Sequence, residues 1–164
     1  MNPIRVAIVT VSDGVTAGTR ADGSGDAIAE WAERSGHCIT GRVVVPDRSE
    51  SIAAALARLA DAGDSDVILT TGGTGLTRND VTPEATRAVI EREAPGVAEA
   101  IRERGARSTA YAWLSRGIAG TRGRTLVVNL PGSEGGVRDG LTVLDSLVRH
   151  AVQLLRGVDT ERHD

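Results

Sequence analysis

Four short apolar runs, Ile4 to Val11, Ile39 to Val45, Val67 to Thr71 and Thr125 to Leu130, punctuate this chain, and the segments between them repeat their apolar residues at helical spacing. Val67-Ile68-Leu69 is short enough for a buried parallel strand, and strands alternating with helices are the signature of a layered α/β fold with helices on both sides of the sheet. The terminal segment is the clearest helix. Val137, Leu141, Leu144, Val148, Val152 and Leu155 fall at steps of three and four and form one apolar stripe, with Arg138, Asp145, Arg149 and Arg156 assigned to the outward face. Ile52, Leu56 and Leu59 mark a second amphipathic helix, and Ile28 and Trp31 a third.

Punctuation residues refine this pattern. Pro95-Gly96 divides a further helical segment into Glu84 to Arg92 and Val97 to Arg107. Thr82-Pro83 predicts a helix start, with Thr82 as the cap and Pro83 at the first helical position. Gly120, Arg122 and Gly123 predict a turn feeding the last strand, as a small hairpin beside the main sheet. The polar tail after Gly157 is expected to fray. Residues 1–157 read as one domain, since 164 residues can bury roughly 70% of the unfolded surface around one core.

Composition narrows the chemistry. One cysteine, Cys38, excludes an internal disulfide, and His37, His150 and His163 lack metal-ligand spacing. A cytoplasmic location follows as the expectation, with no signal-peptide pattern and no membrane-spanning run. A net charge of -3, no basic run and only three aromatic residues argue against nucleic acid as a partner. All nineteen basic side chains are arginine, so neither a Schiff-base lysine nor a Walker lysine is available. Any phosphate must be held by backbone N–H groups and arginine.

Three loops leave predicted strand ends: Ser12-Asp13-Gly14, Pro46-Asp47, and Gly72-Gly73-Thr74-Gly75 followed by Arg78-Asn79-Asp80. In open α/β sheets such loops converge on a ligand crevice. The glycines can turn backbone N–H groups toward an anion, although a plain tight turn would look the same; the dinucleotide and Walker spacings both fail. Asp47 and Asp80 stand where one or two carboxylates hold a phosphate-bridging magnesium, or where turn and capping aspartates also occur. Arg78 is either a phosphate partner or a solvated loop residue. A fourth glycine-rich turn, Asn129-Leu130-Pro131-Gly132-Ser133-Glu134, precedes the long terminal helix, and two such turns suit a ligand with phosphates at two places. No nucleophile-elbow context surrounds Ser115, so what remains is equipment for positioning phosphates in phosphoryl or nucleotidyl transfer.

From Ile4 to Arg156 the chain resembles the molybdenum-cofactor biosynthesis proteins of the Mog and MoaB type. The resemblance rests on Val11-Ser12-Asp13, Pro46-Asp47, Thr70-Thr71-Gly72-Gly73-Thr74-Gly75, Asp80-Val81-Thr82-Pro83-Glu84-Ala85-Thr86, Leu114-Ser115-Arg116 and Asn129-Leu130-Pro131-Gly132, in that order. It implies a three-layer α/β/α sandwich with a mostly parallel sheet, a homotrimer, and adenylyl transfer from Mg-ATP to molybdopterin. It further implies a molybdenum-insertion protein of the same pathway as partner. Asp47 and Asp80 match the family's catalytic aspartates and would coordinate Mg2+; Gly72, Gly73, Thr74 and Gly75 would cradle phosphate. Ser12, Asp13, Ser115, Pro131 and Gly132 would line the pterin or nucleotide pocket. Two departures stand out. Asn79 replaces a residue that is often basic in relatives, leaving Arg78 as its substitute, and Ser133-Glu134 follows Pro131-Gly132 where asparagine-proline is common. The same motifs would serve a MoaB-like carrier that binds the pterin without transferring adenylate.

Overall fold

The computed structural model describes residues 2–157, so the expected fraying of the tail lies outside the described residues. In chain order the elements are β1 (Arg5–Val11), α1 (Asp13–Thr16), α2 (Gly23–Arg34), β2 (Cys38–Val45), α3 (Ser49–Asp61), β3 (Val67–Thr71), α4 (Thr82–Val89), β4 (Arg92–Glu93), α5 (Pro95–Ala106), a 3-10 turn over Ala110–Leu114, β5 (Ala119–Arg122), β6 (Thr125–Leu130) and α6 (Glu134–Arg156). The strands form one sheet in the order β2-β1-β3-β6-β5-β4. β2, β1, β3 and β6 run parallel, while β5 is antiparallel to both β6 and β4.

Side chains alternate across this sheet and so build two cores. Val6, Ile8, Val67, Leu69 and Val128 meet α2, α5 and α6 on one face, through Ile28, Trp31, Ile101 and Leu144. Ala7, Val9, Ile68 and Val127 meet α3 and α4 on the other, through Ile52, Leu56 and Ala85. The molecule is thus the three-layer, mostly parallel α/β sandwich expected. Double-sided burial explains the apolar run Val67-Ile68-Leu69 in β3, since neither face meets water.

Several local expectations need correction. The hairpin turning at Gly123 (φ 55°) does not stand beside the sheet but extends it, because β5 pairs with β6 along its length. Thr82 does not cap α4: its Oγ1 donates to the Gly72 carbonyl at 2.9 Å, a buried acceptor that would otherwise go unpaired, and Val81 takes the cap position. Asp145 and Arg156 are not simply outward-facing on α6. Asp145 accepts from the Trp31 indole at 2.7 Å, and Arg156 pairs with the buried Asp66 at 2.6 Å. Pro95-Gly96 separates α4 from α5 as expected, but Arg92–Glu93 between them forms the edge strand β4. Trp113 in the 3-10 turn is 57% exposed. No helix among the described residues is long and apolar enough to cross a membrane.

Candidate active site

The neighbours of β1 in the sheet are β2 on one side and β3 on the other, so the connections leaving the carboxyl ends of β1 and β3 lead apart and open a crevice there. A cavity of about 490 Å³ fills it, lined by Ser12, Asp47, Gly72, Gly73, Asp80 and Gly132 together with Thr10, Arg20, Gly23 and Glu134. Three loops expected to converge therefore do so, joined by the turn after β6.

The glycine loop is shaped by steric necessity at two points. Gly72 and Gly73 have φ of 97° and 69°; a β-carbon would lie 2.3 Å from the Val11 carbonyl at the first and 2.3 Å from Thr82 Oγ1 at the second. Only glycine fits both. The Gly72 N–H is spent on the Leu130 carbonyl at 3.3 Å, tying the loop to β6. The N–H groups of Gly73, Thr74 and Gly75 donate to no atom of the described residues, so the donors left for an anion lie after Gly72. Thr74 is buried, its hydroxyl hydrogen-bonded to Ser115 Oγ at 3.2 Å.

Asp13 and Asp47 lock the first two loops together. The Asp13 N–H donates to Asp47 Oδ2 and the Asp47 N–H to Asp13 Oδ1, each at 2.9 Å. Burial pushes the Asp47 carboxyl above the ordinary aspartate range; the hydrogen bond from Asp13 opposes this, and the like charges of Asp13 and Asp80 add to it. Asp80 is held by its own turn, Oδ2 accepting from the Thr77 N–H at 2.9 Å and from its hydroxyl at 2.8 Å. Each carboxylate keeps an Oδ1 that accepts no hydrogen bond from the described residues.

That donor set fits magnesium. The ion prefers hard oxygen ligands, dehydrates reluctantly and is commonly held by one or two carboxylates plus phosphate oxygens. No set of three or more His, Cys, Asp or Glu gathers in a metal-holding arrangement among the described residues, so Asp47 and Asp80 fit a cation shared with a phosphate ligand rather than one enclosed by protein.

The other candidates divide. Ser115 and Pro131 line a second, more apolar cavity of about 570 Å³ between α5, the 3-10 turn and the start of α6. Gly132 packs against the glycine loop, where a β-carbon would lie 3.4 Å from the Gly72 Cα. Arg78 is exposed and lines neither cavity, so the positive charge at the first comes from Arg20. Sequence reasoning assigned no role to Arg116, although its motif was singled out. Its N–H donates to the Thr74 carbonyl at 2.8 Å, Nε to the Gly75 carbonyl at 2.8 Å and Nη2 to the Asp80 carbonyl at 2.7 Å, while Nη1 pairs with Glu84. One guanidinium thus staples both ends of the loop carrying Asp80. Arg20 carried no sequence signal, and Glu134 only its place in the departure from asparagine-proline after Pro131-Gly132.

Fold and crevice together define an open-sheet α/β protein whose ligand site is made by loops at the carboxyl ends of its parallel strands. Residues 7–150 match the family model described as a probable molybdopterin binding domain, and the chain belongs to that family. It is 36% identical over 144 residues to the molybdopterin adenylyltransferase of Escherichia coli K12, covering 86% of this chain and 73% of that one. It is 38% identical over 156 residues to the Drosophila melanogaster molybdenum cofactor synthesis protein cinnamon, covering 94% of this chain but only 26% of the fly protein. The crystal structure of the molybdopterin biosynthesis enzyme MoaB from Thermus thermophilus superposes with a TM-score of 0.88 at 45% identity, covering 94% and 97% of the two chains.

Proposed function

We propose that this protein is a cytoplasmic molybdopterin adenylyltransferase, transferring adenylate from Mg-ATP to the terminal phosphate of molybdopterin with release of pyrophosphate. The observation that carries this reading is the convergence of Asp47, Asp80 and the open N–H group of Gly73 on one cavity. The E. coli adenylyltransferase relative supports the same reading.

In this chemistry an oxygen of the pterin phosphate attacks the α-phosphorus of ATP, one P–O bond forms, and the bond to the β-phosphate bridge breaks with its electron pair leaving on pyrophosphate. The substrate supplies the nucleophile. A chain without lysine and without a nucleophile elbow can therefore act by positioning and charge stabilisation alone. The N–H groups of Gly73, Thr74 and Gly75 hold phosphate oxygens, and Ser12 and Gly132 border the same ligand. Ser115 and Pro131 border the more apolar cavity, which takes the pterin. Asp47 and Asp80 are the ligands for magnesium, which when bound supplies charge neutralisation to the phosphates. Residues 1–157 serve as the binding domain, in a homotrimer and beside a molybdenum-insertion partner.

The test is anaerobic incubation of purified protein with molybdopterin, ATP and magnesium, scored by chromatography for adenylylated pterin and pyrophosphate. A second reading, a pterin carrier, is favoured by one observation: Arg20 is the single arginine lining the cavity, beside Asp47, Asp80 and Glu134. Tight pterin binding without product would establish the carrier.

A further inference from the structure

Glu134 opens α6, lines the main cavity and reaches across to the start of α2. A β-carbon on Gly23 would stand 2.0 Å from Glu134 Oε1 and 2.9 Å from its Cδ, so the carboxylate rests where Gly23 has no side chain. Gly23 is absent from the glycines with positive φ, and it stands at the first position of a twelve-residue helix that any L-residue could occupy. The close approach, not backbone conformation, accounts for glycine there. A carboxylate is electrostatically at home beside the first turn of α2, yet Glu134 is exposed and forms no ion pair among the described residues. Fit and the helix dipole place it there.

Its position matters because of the company it keeps. Glu134, Asp47 and Asp80 line one cavity, with Asp13 hydrogen-bonded to Asp47 behind it and Arg20 the single arginine in the wall. Negative charge exceeds positive charge in a site built to receive a phosphate ligand. We propose that Glu134, seated on Gly23, is a specificity-determining residue that holds a negative charge in the cavity wall and discriminates against phosphate arriving without a divalent cation. A bare polyphosphate meets like charge in the cavity. The same ligand carrying magnesium has much of its charge neutralised and passes. This inference rests on the proposed phosphate site and adds to it a filter that acts before any chemistry.

Calorimetric binding of inorganic pyrophosphate at low salt, with and without magnesium, tests it in the wild type, Glu134→Gln, Gly23→Ala and the double variant. Removing one partly solvated charge should tighten metal-free pyrophosphate roughly tenfold, and the magnesium complex by less than about twofold. Gly23→Ala places a methyl group where the carboxylate rests and displaces the tip of a flexible side chain, so it should shift affinity in the same direction. The double variant should match Glu134→Gln alone, because the charge is already gone. Equal tightening with and without magnesium, or additive effects of the two substitutions, would overturn the filter while leaving the transferase reading intact. Failure of every form to bind pyrophosphate under either condition would overturn both. The Gly23 amide resonance of the ligand-free protein should move in Glu134→Gln, and an unmoved resonance refutes the seat itself.

Discussion

Asp13 and Asp47 exchange hydrogen bonds, each carboxylate accepting the other's backbone N–H at 2.9 Å, so the loops after β1 and β2 are fixed to one another at the edge of the cavity. The Asp47 carboxylate is thereby held in a place that raises its pKa, and the sign of that shift makes a prediction. Below the unfolded pKa, near 4, both states are protonated and nothing is lost; as pH rises through the window up to the raised folded value, ionisation costs the folded state more than the unfolded one. Asp47→Asn keeps an oxygen to accept from Asp13 and removes that cost. Its Tm should equal or exceed the wild-type value at pH 7 and lose that advantage near pH 4, while adenylyl transfer falls by about 100-fold or more. A variant that loses both stability and turnover would point to a structural role instead.

Arg116 offers a cleaner separation of positioning from chemistry. Its fork reaches carbonyls at Gly75 and Asp80 and the Glu84 carboxylate at once, a geometry that a single ammonium cannot reproduce. The side chain is partly exposed, so Arg116→Lys should cost little stability, on the order of 1 kcal/mol. Loosening of the Thr77 to Asp80 turn should nevertheless lower kcat about tenfold or more, since small misplacements of a positioned group are expensive. Steady-state kinetics beside a thermal melt decides: a large stability loss with kcat preserved would reverse the assignment.

How far the sequence reveals this site depends on the range of the interactions involved. Strand runs and the α6 stripe are local patterns, and they predict the three layers because sheet burial on both faces leaves a continuous apolar mark. The convergence of Asp13, Asp47 and Gly73 was legible too, since loops at strand ends follow from topology. What the pattern could not show were contacts set by side-chain reach across the fold. Thr82 reads as a helix cap by its neighbours, but its hydroxyl goes to Gly72 because that carbonyl is buried and needs a donor. Arg156 reads as outward by helical phase, yet its long side chain reaches Asp66, 90 positions away. Arg78 sits next to the motif and still lies outside both cavities, since spacing in sequence gives no direction to a side chain.

Thr82 also supplies a stability test of the glycine loop. Thr82→Val preserves shape but strips the donor from the fully buried hydroxyl, leaving the Gly72 carbonyl unsatisfied at a cost of about 1–3 kcal/mol. For a chain of this size that corresponds to roughly 3–10 °C in Tm. Gly73→Ala should be worse, because its β-carbon would lie 2.3 Å from the same hydroxyl and its φ is 69°. Combining the two should be less than additive, because the methyl group of Gly73→Ala already pushes the Thr82 hydroxyl off the Gly72 carbonyl, the same bond that Thr82→Val removes. Strict additivity in denaturant titrations would show that backbone strain alone governs Gly73.

At the far end of the sheet Asp66 governs behaviour in acid. It is buried at the start of β3 and accepts from the Arg5 N–H at 2.8 Å and from the Arg5 and Arg156 guanidiniums at 3.0 and 2.6 Å, joining β1, β3 and the end of α6. Burial alone would raise its pKa, but the hydrogen bonds from Arg5 and Arg156 outweigh it and hold the carboxyl well below the usual range. A depressed folded pKa contributes stability that is fully present above the unfolded value, near 4, and drains away as pH falls below it. Both arginines are partly exposed and can resolvate, so Asp66→Asn should cost on the order of 2 kcal/mol at pH 7, under the range for a fully buried pair, or roughly 5 °C in Tm. The gap between variant and wild type should be constant from pH 7 to about 5 and close below about 4. Melting curves across that range check it, and a gap that persists undiminished at pH 2 would mean that packing, not ionisation, is what Asp66 contributes.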